Sequence, residues 1–248
     1  MTRGQRRVWL ALEEQKRRRA RAGASVPPVS LRSGLAAYWD LDETDATGWL
    51  PRADKLGLTP VVAGATPILS GPGIRNLGAV FTGGQGLIGS ASRVSVAADF
   101  SLSLWVYVSN CDNWQIAFNL YESDSDTDCF QVQGLVPVGD AGGAVSGSLF
   151  GVDGGFVTAW LPVNQWHHLV VTMQDNLMSF YHNGGLVDAA TVSAGSRVMP
   201  DQVRIGAGSS IYGWVGPIDE VGFWSRALTA SEAVRLYNNG SGLAYDQF

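Results

Sequence analysis

A chain of 248 residues that is 46% hydrophobic, only 16% charged and holds 31 glycines can bury a substantial core and needs many tight turns. That balance excludes a disordered chain or a fibrous repeat and favours short strands. The formal net charge of −5 is unevenly spread: residues 1–33 hold nine of the 17 Lys/Arg and two of the 22 Asp/Glu, so they carry +7 and the remainder −12. A basic arm (1–33) and an acidic body (34–248) are therefore expected to act as separate electrostatic objects.

Thr2 to Arg21 has a helical pattern with a thin apolar face of Val8, Ala11 and Leu12, surrounded by Arg6, Arg7, Arg17, Arg18 and Arg19. Val8 to Leu12 is too short for the apolar region of a secretory signal. No apolar run reaches the roughly 18 residues of a membrane span. Gly23 to Pro28 stops the helix and makes an extended linker. Strands are then expected at 35–41, 79–81, 100–108, 114–121, 130–136, 149–152, 166–173, 178–182, 203–205 and 218–224. The alternation is clearest at 101–108, where Leu102, Leu104, Val106 and Val108 share a face. Asn183-Gly184-Gly185 reads as a hairpin turn. Ala230 to Tyr237 reads as one short helix, with Thr229 and Glu232 placed to form a capping box. Cys111 and Cys129 are the two cysteines; two thiols are the default without a signal sequence, with a disulfide as the alternative.

Four blocks in order carry a family resemblance: Gly34 to Glu43, Phe100 to Val106, Asn164 to Thr172, and Gly216 to Val221 running on to Arg226-Ala227-Leu228. From about Leu35 to Tyr237 the chain resembles the bacterial and phage branch of the laminin-G-like, concanavalin-A-like domains. The resemblance implies an all-β jelly roll of two facing antiparallel sheets, with ligand loops at the rims and on the concave side. It also implies a calcium ion at one rim, for which Asp42 and Asp219 match the motif positions; the competing reading is that Asp219 caps backbone amides in a tight turn. Family members serve as glycan-binding modules, adhesion domains and virion components, so fold alone does not choose among these.

Among candidate site residues, His167 and His168 are adjacent on a strand and point to opposite faces, which suits packing rather than a shared metal. Asp219 and Glu220 are likewise expected on opposite faces, without the same-face carboxylate pair that a glycosidase needs. Glu122, Asp124, Asp126 and Asp128 alternate, but lack the glycine and closing glutamate of a calcium loop, so a solvated loop is expected. Trp114, Tyr121, Trp160, Tyr212 and Trp214 lie near expected loops and could stack on sugar rings. The Arg cluster and Trp9 of the arm suit phosphate binding, a membrane surface, or docking on an assembly. Docking is favoured, because the arm lacks the aromatic interleaving of a nucleic-acid platform.

No catalytic triad, phosphate loop or carboxylate pair emerges, so an enzyme is not expected. The leading expectation is a phage-type virion protein, assembled in a host cytoplasm. Its arm would dock on a shell or tail protein, and its sandwich would serve as decoration or bind a host-surface glycan. The alternative is a bacterial adhesion or carbohydrate-binding module at the cell surface or outside the cell.

Overall fold

The structure, a computed structural model, describes Glu13 and residues 30–110, 114–134, 142–151, 155–193, 197–207 and 212–248. The arm residues Arg6, Arg7, Trp9, Arg17, Arg18 and Arg19, and Cys111, lie outside the described residues. Fifteen strands are described: β1 (Leu35–Trp39), β2 (Val62–Ala63), β3 (Leu69–Pro72), β4 (Leu77–Thr82), β5 (Leu87–Ser90), β6 (Phe100–Tyr107), β7 (Gln115–Glu122), β8 (Thr127–Gly134), β9 (Gly142–Leu149), β10 (Phe156–Pro162), β11 (Trp166–Gln174), β12 (Leu177–His182), β13 (Gly185–Thr191), β14 (Gln202–Ile205) and β15 (Val215–Trp224). One helix of two turns, α1 (Ala230–Tyr237), follows, and the expected capping box between Thr229 and Glu232 is present.

The strands form two antiparallel sheets, ordered β13-β12-β11-β6-β15-β4-β3 and β10-β9-β8-β7-β14-β5-β2, with β1 paired to β15. This is the two-sheet jelly roll that the family resemblance implies. Between the sheets lies a core that includes Trp39, Phe81, Phe100, Leu104, Phe118, Phe130, Val171, Phe180 and Phe223. A second apolar cluster covers the outer face of the first sheet, where Leu31, Tyr38, Tyr181, Trp224 and Leu236 pack with Tyr245 and Phe248. The outer face of the second sheet has no such cover among the described residues, and it carries the polar side chains considered below.

The expected set lacks β2, β3, β5, β10 and β13 and meets β9 only at Leu149, the strand expected at 149–152 giving way to a turn at 150–151; two of these differences have identifiable reasons. β9 is the glycine-rich run Gly-Gly-Ala-Val-Ser-Gly-Ser-Leu, which a propensity reading discounts. The structure needs the glycine there: a Cβ on Gly147 would meet Val171 Cγ2 at 2.8 Å. β10 alternates buried Val157, Ala159 and Leu161 with exposed Phe156 and Trp160.

β15 divides its edge between two partners. Val215 to Ile218 pair with β4, whereas Val221 to Trp224 pair with β1. Between them its register against β6 slips from Asp219↔Trp105 to Gly222↔Ser103. Glu220 takes a φ of +50° in this bulge, a conformation that breaks strand alternation.

Candidate functional site

The outer face of the second sheet is built from cross-strand rows. One runs Phe156, Ser148, Gln131, Asn119, Arg204 across β10, β9, β8, β7 and β14, and the next runs Thr158, Ser146, Gln133, Ile116. Bulges in β7 and β8 keep Asp128 on this side while Cys129 turns into the core. Above the rows opens a cleft of about 420 Å³, lined by Trp114, Ile116, Asp128, Gln131, Gln133, Phe150 and Tyr212. Trp114 and Tyr212 are 42% and 44% exposed, while Gln131 and Asn119 are buried. The result is a floor of planar amides between aromatic walls.

The polar floor is only partly self-satisfied. Asn119 Nδ2 donates to Asp128 Oδ1 at 2.8 Å and Gln133 Nε2 donates to Ser148 Oγ at 3.3 Å. Asn119 Oδ1 is buried with no partner among the described residues, a state that native structures seldom show. Arg204 lies 3.6 Å over the Tyr121 ring and donates to Gln202 Oε1 at 2.8 Å. Burial lowers its pKa, opposed by the charges of Asp128, Asp126 and Asp201. The hydroxyl of Tyr121 donates to Asp126.

Of the five aromatics that the sequence suggests for ligand stacking, Trp114 and Tyr212 line the cleft together. Tyr121 shares the face but is buried beneath Arg204, and Trp160 is exposed on the same face of β10. Trp214 does not belong. It is buried in the core, and its indole N–H faces Tyr107 O at 3.3 Å, so it presents no face to a ligand. Gln131, Gln133, Asp128 and Phe150 were not among the expected residues. Glutamines alternating with Phe130 and Val132 along β8 were the available signal.

A second polar cluster occupies the gap between β1 and β4. Asp219 and Glu220 do not face opposite ways as expected, because the bulge turns both toward one region. Asp219 accepts from Arg75 N at 3.1 Å and Glu220 N at 2.8 Å. Glu220 accepts from the Tyr38 hydroxyl and lies 3.6 Å from Arg75 Nε. Asp42 accepts from Leu77 N and Asn76 Nδ2, each at 3.0 Å. Burial, reinforced by the charge of Glu220, pushes the Asp219 carboxyl up to about 9. Burial pushes Glu220 up to about 7 against the Tyr38 hydrogen bond.

The calcium that the fold family implies fits this chemistry. Leu77 O, Asp219 Oδ2 and Arg75 O converge at 2.3, 2.4 and 2.6 Å on the point that a Cβ of Gly73 would occupy. That point lies one bond length from the Gly73 Cα and is not itself an ion position, but it shows that carbonyl and carboxylate oxygens, the donor type a hard cation takes, gather beside this turn. Among the described residues no three His, Cys, Asp or Glu side chains are grouped as metal ligands, so backbone oxygens would have to complete the shell. Asp219 accepts two backbone amides, as the capping reading expects.

The histidines pack as expected. His167 meets His182 Nε2 at 2.9 Å and Pro162 O at 2.8 Å, whereas His168 meets Ser103 Oγ at 2.8 Å on the other face. The acidic run is not an extended row. Ser123 to Asp126 form a turn, and Glu122 accepts from Asp124 N and Ser125 N.

Comparison with known proteins adds the family. No curated protein sequence matches the chain. Among solved structures, it is similar to domain 4 of AbnA, an extracellular GH43 arabinanase from Geobacillus stearothermophilus, solved in complex with arabinotriose. That match has a TM-score of 0.60 and 19% identity, covering 81% of this chain and 97% of the other. It is also similar to the botulinum neurotoxin serotype D ligand-binding domain in complex with N-acetylneuraminic acid (TM-score 0.61, 13% identity, 83% and 51% covered). A third is the binding domain of Paraclostridial Mosquitocidal Protein 1 (0.60, 14%, 85% and 53%). The chain thus spans about half the length of the two toxin domains, and at these identities the likeness is one of fold. A family model described as the concanavalin A-like lectin/glucanases superfamily matches residues 81–234. With more than half its length so matched and its strands laid out as a two-sheet jelly roll, the chain belongs to the concanavalin A-like lectin/glucanases superfamily.

Proposed function

We propose that this protein is a non-catalytic carbohydrate-binding module whose site is the cleft on the outer face of the second sheet. The observation that carries the reading is the joint placement of Trp114 and Tyr212 as walls over the amides of Gln131 and Gln133. Sugars present apolar C–H faces that stack on aromatic rings, and hydroxyls that pair with planar amides. Asp128 is the one carboxylate among the described lining residues, and glycoside hydrolysis needs two. Glycan-array binding tests the reading: Trp114→Ala and Gln131→Ala should each lower affinity at least tenfold with the fold intact. Unchanged binding by both variants overturns it.

A virion setting, with the arm docked on a shell or tail protein, remains our reading of residues 1–33 and rests on charge and exit geometry. The +7 arm is attached to a −12 body. The chain enters the domain on the outer face of the first sheet, where Trp224 Nε1 donates to Leu31 O at 2.6 Å and Arg32 lies 4.2 Å over Tyr245. An arm held there would leave the cleft, on the other sheet, facing away from the anchor. Removing residues 1–29 keeps Leu31 in place. It should abolish co-sedimentation with particles from the same source while leaving glycan binding unchanged. If it changes neither, a free-standing bacterial adhesion or carbohydrate-binding module, at the cell surface or outside the cell, takes its place.

We further propose that Asp42, Asp219 and the carbonyls of Arg75 and Leu77 hold calcium. Bound there, the ion would supply charge compensation for the buried carboxylates and tie the β3–β4 turn to β15, a structural role outside the cleft.

A further inference from the structure

On the carbohydrate reading just given, we infer that the ligand is the interior of an extended, uncharged oligosaccharide lying across the strands from Trp114 to Trp160, rather than a single terminal or acidic sugar. The geometry follows from the register. Gln115 pairs with Gly134, Gly134 with Val145, and Val145 with Ala159. Trp114 and Trp160, each next to a member of this chain of pairs, therefore stand at nearly the same level. Three inter-strand steps separate β7 from β10, or about 14 Å at the usual sheet spacing. That span exceeds one sugar ring and matches a short oligosaccharide.

Among the described residues, Ala144 stands level with the two tryptophans, and a polar surface runs alongside the line that joins them. Gln133, Ser146 and Thr158 form one row, and Gln131 and Ser148 belong to the next. All are hydroxyl or amide groups able to pair with sugar hydroxyls, and none is ionisable. At the β10 end, Trp160 and Phe156 are 47% and 54% exposed on an edge strand. They project on the cleft side of the sheet, where an edge strand is ordinarily kept polar. Aromatic rings at both ends of a polar floor form two stacking platforms on one track.

Charge selects against acidic sugars. Among the described residues, the ionisable groups at the β7–β8 hairpin and β14 end include Asp128 in the cleft, Asp126 and Asp201 beside it, and Arg204, while at the β10 end the Asp188 carboxylate accepts from Thr158 N at 2.9 Å. Arg204 is stacked on Tyr121 and engaged with Gln202, and three carboxylates oppose its charge. A sialic or uronic acid would meet Asp128 without an uncompensated cation to receive it.

The experiment is calorimetric titration with graded ladders, from monosaccharide to hexasaccharide, of β-1,4-glucan, xylan, mannan and α-1,5-arabinan. Sialyllactose and oligogalacturonates form the charged arm. Wild type, Trp160→Ala and Trp114→Ala are compared, with thermal melts as fold controls; both residues are partly exposed, so both variants should fold. The expected result is affinity that climbs with length in at least one neutral ladder. Trp160→Ala should remove about five- to tenfold from the hexasaccharide while sparing the disaccharide, and Trp114→Ala should weaken both. Affinity that is flat beyond the disaccharide and insensitive to Trp160→Ala overturns the extended track but leaves the carbohydrate reading standing. Tighter binding of the charged arm overturns the selection for neutral sugars. Failure of every ladder and of the charged arm overturns both readings.

Discussion

Raising the pH from 7.5 to 9 in a chelator should destabilise this protein, and calcium should abolish the effect. Asp219 is fully buried, and its carboxyl is raised by burial and by Glu220 to about 9, from an ordinary 3.8. A raised carboxyl favours the neutral acid in the fold. That contribution is complete below the unfolded value and is lost as pH rises through the folded one. Above pH 7.5 the histidines are neutral whether folded or not, so Asp219 dominates the slope in this window. Each pH unit below the folded value corresponds to about 1.4 kcal/mol, and the window to about 2 kcal/mol. For a domain of this size that is a fall in Tm of about 4–8 °C. The assay is differential scanning fluorimetry in EDTA and in millimolar calcium. Calcium should flatten the profile by taking the anionic form, and Asp219→Asn should flatten it in EDTA. A Tm in EDTA that does not change between pH 7.5 and 9, with no response to calcium, refutes both the cluster's electrostatics and the cation site.

On the acid side, His168 is buried and held neutral, its pKa pushed down by burial to about 3. Stability present above about pH 6.5 should therefore fall as pH drops, by about 2 kcal/mol for this residue between pH 6.5 and 5. The difference in urea-derived stability between wild type and His168→Gln isolates this residue from the carboxylates, and equal slopes would count against it. Gly206 has a φ of +78°, and a Cβ there would meet the Phe81 ring at 2.2 Å. Gly206→Ala should cost roughly 2–4 kcal/mol in chemical denaturation. Gly84→Ala, also at positive φ but with nothing within 4 Å, should cost only about 1 kcal/mol.

Sequence alone determined the all-β class, most long strands, the hairpin at Asn183 to Gly185 and the capped helix. Each of these is written in local periodicity or in residue types at fixed offsets. It also marked Trp114 and Tyr212 as stacking candidates and separated His167 from His168, because alternation is a local rule. Only the tertiary structure decided the rest. The cleft joins Trp114 before β7, Gln131 and Gln133 on β8, Phe150 after β9 and Tyr212 before β15, and no spacing in the chain encodes that convergence. Trp214 looks like its neighbour Tyr212 in the sequence, yet packing sends it into the core. Asp219 and Glu220 gather on one side because β15 must serve β4 and then β1. The bulge that makes this possible turns on a backbone angle at Glu220, which a glutamate in the sequence does not announce.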